Sequence, residues 1–185
     1  MEHIYQNDCF GENWFDYAPL YERLIAEVPD KSRIVEVGCW MGKSVAFLGV
    51  EAVNSGKTIA IDAVDTWLGS PEHEYILQRH DRDYLYDTFN ANIAPLRHVV
   101  NPMRMASLDA CVLYEDGSLD VVFIDAAHDY DSVKADIAAW LPKVKSGGYL
   151  AGHDYNPCWS GVIAAVNESL DISEVVCGCW VYKKP

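Results

Sequence analysis

Three apolar runs in this 185-residue chain end in an acid or a glycine-rich turn: Glu36–Gly38, Asp65 and Asp125. A fourth is followed by His153-Asp154. Carboxylates gathered at one place accept hydrogen bonds from hydroxyl or ammonium groups. His128 lies three residues beyond Asp125, and an imidazole with a pKa of about 6.5 can take a proton from a hydroxyl at neutral pH. The alternatives for the same histidine are a structural hydrogen-bonder and a metal ligand. Acids converging at strand ends are the feature the fold has to explain.

The segment Glu36-Val37-Gly38-Cys39-Trp40-Met41-Gly42-Lys43-Ser44 joins a strand pattern to a helix pattern. Gly38 would allow a tight turn, and Gly42 would let the helix N-terminus approach a ligand. Gly42-Lys43-Ser44 mimics the end of a phosphate-binding loop, yet three residues separate Gly38 from Gly42 where that loop needs four. The dinucleotide fingerprint G-x-G-x-x-G fails at Trp40. An ordinary strand–turn–helix stays open on this loop alone.

The elements that must position these residues follow from periodicity. Tyr17–Val28 carries apolar residues at helical spacing, and Lys43–Val53 and Val162–Leu170 also read as helices. Ser132–Leu141 is amphipathic. Arg33–Val37, Thr58–Val64 and Leu119–Ile124 read as buried strands, Arg97–Pro102 as a weak third strand, and Tyr149–Gly152 as a strand preceded by Gly147-Gly148. Glu174–Tyr182 reads as a closing strand pair turning near Gly178, and residues 66–95 as inserted helices and a candidate lid. Residues 1–30 make an N-terminal arm and helix. Strands alternating with helices predict an α/β, Rossmann-like doubly wound sheet, mainly parallel with an antiparallel C-terminal strand and helices on both faces. Ligands of such sheets sit at the carboxyl ends of the strands.

Composition bounds the function. Lys and Arg number 14 against 28 Asp and Glu, a net charge of −14, so the chain has no field with which to gather nucleic acid or anionic lipid. No apolar run approaches the ~20 residues of a membrane span, and the N-terminus has no signal-peptide pattern. The six cysteines fit reduced thiols in a cytoplasmic protein, and Cys177-Gly178-Cys179 is too closely spaced for a zinc knuckle.

Glu36, Gly38 and Gly42 together resemble motif I of class I S-adenosylmethionine methyltransferases, with Trp40 replacing the middle glycine. Val64-Asp65-Thr66-Trp67-Leu68-Gly69 looks like the second-strand motif of a branch that includes small-molecule and sugar O-methyltransferases. That branch is similar to macrolide- and cephalosporin-tailoring and Methyltransferase 24-like enzymes. Asp120–Asp125 with His128 and Tyr130, then Asp136 with Trp140, then Gly147-Gly148 with His153-Asp154-Tyr155 resemble its later blocks.

The resemblance implies one methyltransferase domain over residues 1–185 with S-adenosylmethionine as cofactor. Glu36 would accept the cofactor's ammonium group, directly or through water. Asp65, or its rival Asp62, would take the ribose, and Ser107 the adenine. The branch is also similar to catechol and caffeoyl-CoA O-methyltransferases, which implies a divalent cation (Mg2+ or Mn2+) on Asp125 and Asp154. Their asparagine ligand is Tyr155 here, which brings in His153 as the third ligand; two carboxylates with an imidazole suit Mn2+, Fe2+ or Zn2+ better than Mg2+. His128 stands at the offset of the catechol enzymes' general base. The implied reaction is O-methylation of a hydroxylated small molecule or sugar, with Asp125 and His128 at the reacting oxygen. No nucleic-acid or membrane partner is expected, and a homo-oligomer is left open. The alternatives are a cofactor-binding protein of this branch that transfers no methyl group, and a P-loop-like nucleotide hydrolase.

Overall fold

In the computed structural model, which describes residues 1–11, 13–70 and 73–185, the apolar runs become strands of one seven-stranded sheet. The strands are β1 (Ser32–Val37), β2 (Ile59–Asp65), β3 (Val100–Arg104), β4 (Leu119–Ile124), β5 (Val144–Gly152), β6 (Glu174–Val176) and β7 (Cys179–Lys183). Their order is β3-β2-β1-β4-β5-β7-β6; β1 to β5 pair parallel, and β7 runs antiparallel to both β5 and β6. Every residue of β4 is buried, as a strand covered on both faces requires.

The helices are α1 (Ala18–Glu27), α2 (Lys43–Asn54), α3 (Glu74–Leu77), α4 (Tyr84–Asn92), α5 (Ser107–Cys111), α6 (Tyr130–Trp140) and α7 (Ser160–Ser169). Leu20 and Leu24 of α1, Val45 and Leu48 of α2, and Phe89 of α4 share one core cluster with Ile34 of β1. Ala110 of α5, Val133 and Trp140 of α6, and Val162 of α7 share the other with Val35 and Val37. Alternate residues of β1 thus enter opposite cores. The strand order reverses between β1 and β4, the place where doubly wound sheets open a ligand crevice.

The third strand starts at Val100, later than its apolar pattern suggests. Ala94–Leu96 first closes a 3-10 turn around Pro95, with Val99 N–H donating to the Leu96 carbonyl at 2.9 Å. Gly147 and Gly148 lie inside β5 instead of preceding it. The short α5 has too few residues for a periodic signal. All six cysteines are free thiols. Among the described residues no helix is long and apolar enough to cross a membrane.

Gly38 ends β1 with φ of 87°, and a Cβ there would sit 1.9 Å from the Asp125 carbonyl oxygen. The turn after β1 is therefore pressed against the main chain that follows β4. Gly38→Ala meets both a left-handed backbone and a main-chain clash that no rotamer relieves, so we expect a loss above ~2 kcal/mol, read by denaturant unfolding. Wild-type stability in that variant would contradict the packing described.

Candidate active site

A cavity of about 830 Å³ opens at the carboxyl ends of β1, β2, β4 and β5. Gly38, Asp65, Ser107, Asp125, His128 and Asp154 all line it, as does His153. The acids converge because parallel strands all deliver their ends to one edge. Strain is concentrated here too: Trp40 (φ 47°) and Asp154 (φ 60°) line the cavity in left-handed conformations, and Trp67 (φ 52°) lies just behind it.

Asp65 braces the first turn. Its Oδ2 accepts the Cys39 and Trp40 amides at 2.8 and 3.0 Å, and its Oδ1 accepts the Trp67 amide at 2.7 Å. The Trp67 indole donates to the Trp40 carbonyl at 2.8 Å, so both ends of the Trp40 residue are tied down. Asp62 is elsewhere: 3% exposed, it accepts from Arg33 Nε (2.7 Å), Tyr114 (2.9 Å) and Asn101 (2.9 Å) within the sheet. Of the two candidate ribose acids, the cavity takes Asp65.

Glu36 does not reach the cavity. It is 0% exposed, and its carboxyl accepts from Tyr21 at 2.9 Å and from Ser44. Its connection to the cavity runs through Ser44, a lining residue at the start of α2. Gly42 also faces away, because a Cβ there would meet Phe89 at 2.9 Å. Its left-handed φ of 86° serves the packing of α4 against the turn. Ser107 lines the cavity with its hydroxyl fixed, donating to Asp136 at 2.5 Å and accepting from the Trp140 indole at 2.8 Å.

The far end holds two histidines among acids. His128 Nε2 lies 2.9 Å from Asp154 Oδ2, and its ring stacks on Trp159 at 4.0 Å. His153 Nε2 lies 3.2 Å from Asp16, while its Nδ1 lies 3.5 Å from Asp154 and 3.8 Å from Asp125. Burial pulls the His153 imidazole down, but Asp154, Asp125 and Asp16 outweigh it and raise its pKa to about 9. Burial works against ionisation of Asp154, yet His128 and His153 hold it below the usual carboxylate range. Burial pushes Asp125 up, against the pull of His153.

Asp125, His128 and Asp154 bring one donor atom each to within 4.8 Å of one another. The trio contains His128; His153, to which the sequence pattern pointed, stands beside it with Nδ1 facing both aspartates.

The N-terminal segment is the part that sequence reasoning missed. Asn13, Trp14, Asp16 and Tyr17 line the cavity, and Tyr17 donates to Asp125 Oδ2 at 2.9 Å. Two tyrosines four apart, Tyr17 and Tyr21, were the signal that could have exposed it. Among the described residues of the inserted segment, only Thr66, Gly69, Ser70, His73 and Tyr75 border the cavity, and α4 is packed into the core. The candidate lid also spans residues 71 and 72, which lie outside the described residues.

A family model described as a methyltransferase domain matches residues 35–155. Protein y4gI of Sinorhizobium fredii is 30% identical over 143 residues, which are 76% of this chain and 15% of that protein. The chain thus spans a small part of that curated relative's length. The O-methyltransferase NovP superposes with a TM-score of 0.69 at 16% identity, over 90% of this chain and 78% of that one. CalS11, a TDP-rhamnose 3'-O-methyltransferase of calicheamicin biosynthesis, gives 0.59 at 14% identity over 90% and 76% of the two chains. An S-adenosylmethionine-dependent O-methyltransferase from Thermotoga maritima gives 0.60 at 15% identity over 89% and 54%. These likenesses establish the fold.

Burial pushes the Glu36 carboxyl up from 4.5 to about 8, the Ser44 and Tyr21 donors pulling against it. The folded protein keeps a proton there that the unfolded chain releases, so stability falls as pH rises from about 4.5 to about 8 and levels off above. Glu36→Gln keeps the shape and removes the titration. Its stability advantage over wild type is expected to grow across that window to several kcal/mol, read from paired denaturant melts at each pH. A pH-independent difference would contradict the buried, protonated carboxyl.

Proposed function

This chain belongs to the methyltransferase domain family, and on that premise we propose that it transfers the methyl group of S-adenosylmethionine to an oxygen of a hydroxylated small molecule. The observation that carries the reading is a single cavity with Asp65 at one end and Asp125, His128 and Asp154 at the other. Asp65 would hold the cofactor's sugar, Ser107 would face its adenine, and the Gly38–Ser44 turn would take its amino acid tail. Three amides already occupy Asp65, leaving it about one acceptor direction for a ribose hydroxyl. Lys43, which lines the cavity at the first turn of α2, suits the cofactor's carboxylate.

In the transfer, the acceptor oxygen bonds to the methyl carbon as the carbon–sulfur bond breaks, and the hydroxyl proton passes to a base. The protein aligns the two partners and excludes water, the cofactor carrying the chemistry. Residues 13–17, with Thr66, Gly69, Ser70, His73 and Tyr75, line the cavity where they would cover the acceptor.

Asp125, His128 and Asp154 suit a divalent cation such as Mn2+, Fe2+ or Zn2+. A cation held there would supply Lewis acidity, lowering the pKa of the acceptor hydroxyl. A second reading is favoured by the 2.9 Å contact of His128 with Asp154: the carboxylate holds the imidazole, and His128 itself takes the proton without a metal. A cytoplasmic setting agrees with six free thiols.

Calorimetry with S-adenosylhomocysteine tests the cofactor assignment. Wild type is expected to bind, and Asp65→Ala to bind about tenfold or more weakly, the loss of one hydrogen bond to a charged group. Stabilisation by ATP–Mg2+ in place of S-adenosylhomocysteine would end the proposal. With a working acceptor, Asp154→Asn is expected to lose transfer while retaining cofactor affinity. Chelation separates the two readings of His128: activity lost to a chelator and restored by Mn2+ assigns the cation, and activity that survives assigns the base.

A further inference from the structure

We propose that Tyr17 is a positioning residue for the cation centre, fixing Asp125 from outside the donor set. The inference rests on the reading of Asp125, His128 and Asp154 as metal donors and extends it to a segment upstream of the family match at residues 35–155.

The Tyr17 hydroxyl donates to Asp125 Oδ2 at 2.9 Å, and the residue is 2% exposed. Its ring is held by Phe15 at 4.8 Å, Phe123 at 4.9 Å, Tyr21 at 5.2 Å and His153 at 4.7 Å, so the hydroxyl has one place to point. The neighbouring residue, Asp16, engages His153 Nε2 at 3.2 Å. Two adjacent residues of one segment thus grip Asp125 and the histidine beside it. With Oδ2 tied to the phenol, Oδ1 is the oxygen turned toward His153, 3.8 Å from its Nδ1.

The fold contains its own control. One helical turn on, Tyr21 donates to Glu36 at the same 2.9 Å, on the neighbouring strand. Both phenols are buried and both serve a carboxyl. Glu36 is sealed from the cavity, whereas Asp125 lines it and belongs to the donor trio. A purely structural role would make the two tyrosines equivalent; a positioning role separates them. Hydrogen bonds that orient a ligating carboxylate are worth about 10–100-fold in metal affinity.

The test is Mn2+ binding by calorimetry on wild type, Tyr17→Phe and Tyr21→Phe, with S-adenosylhomocysteine affinity and melting temperature measured alongside. We expect Tyr17→Phe to raise the Mn2+ dissociation constant about 10–100-fold and Tyr21→Phe to leave it at the wild-type value. Both variants should melt earlier and bind S-adenosylhomocysteine as wild type does. Wild-type Mn2+ affinity in Tyr17→Phe, or an equal loss in Tyr21→Phe, overturns the inference and leaves the metal reading standing. A wild-type protein that takes up no Mn2+ overturns both. If Tyr17→Phe does not fold, wild-type protein labelled with 3-fluorotyrosine answers the question: Zn2+ should shift the Tyr17 resonance and leave that of Tyr21, and equal behaviour of the two overturns the inference.

Discussion

Carrying carboxyl groups into the interior is the constraint on which this molecule is organised. Glu36, Asp125 and Asp136 are each pushed up by desolvation, and each is met by a neutral hydroxyl: Tyr21 and Ser44, Tyr17, and Ser107 respectively. A buried carboxyl without such a donor would be costly. The donors come from α1, the start of α2, the start of α5 and the segment before α1. Placing them fixes how those elements approach the carboxyl edge of the sheet, and so fixes the walls of the cavity.

Much of this order was readable in the chain. β1, β2 and β4 announce themselves as apolar runs because parallel strands are covered on both faces, and their acids mark where the covering ends. The choice between Asp62 and Asp65 was readable too, since Asp65 stands at the strand's end and Asp62 within it. The third strand was harder, because Asn101 and Pro102 dilute its pattern and a 3-10 turn consumes the residues before it. The five-residue α5 is shorter than any periodicity can resolve.

The site was legible in its acids and less so in its partners. Glu36, Asp65, Asp125 and Asp154 were all singled out by position, yet which of them faces the cavity depends on side-chain direction. Glu36 points into the core with Ile34, on the side where α1 packs, and only the assembled helix shows that Tyr21 is waiting there. The second partner of His153, Asp16, is 137 positions away from it along the chain. Contacts of such sequence separation leave no local trace. Trp40 stands where a glycine would be expected, and its left-handed backbone is tolerated because Asp65 and Trp67 hold it from both sides.

The closeness of Gly38 to the Asp125 carbonyl has an evolutionary corollary. The turn that would cradle the cofactor and the residue that would meet the acceptor share one contact surface, so neither can drift without dragging the other. Diversification of what the protein accepts is channelled into the segments laid over the edge, the N-terminal stretch and the loop after β2, whose side chains can change while the floor beneath them stays put. A lineage of such chains would vary at its roof and be monotonous at its foundation.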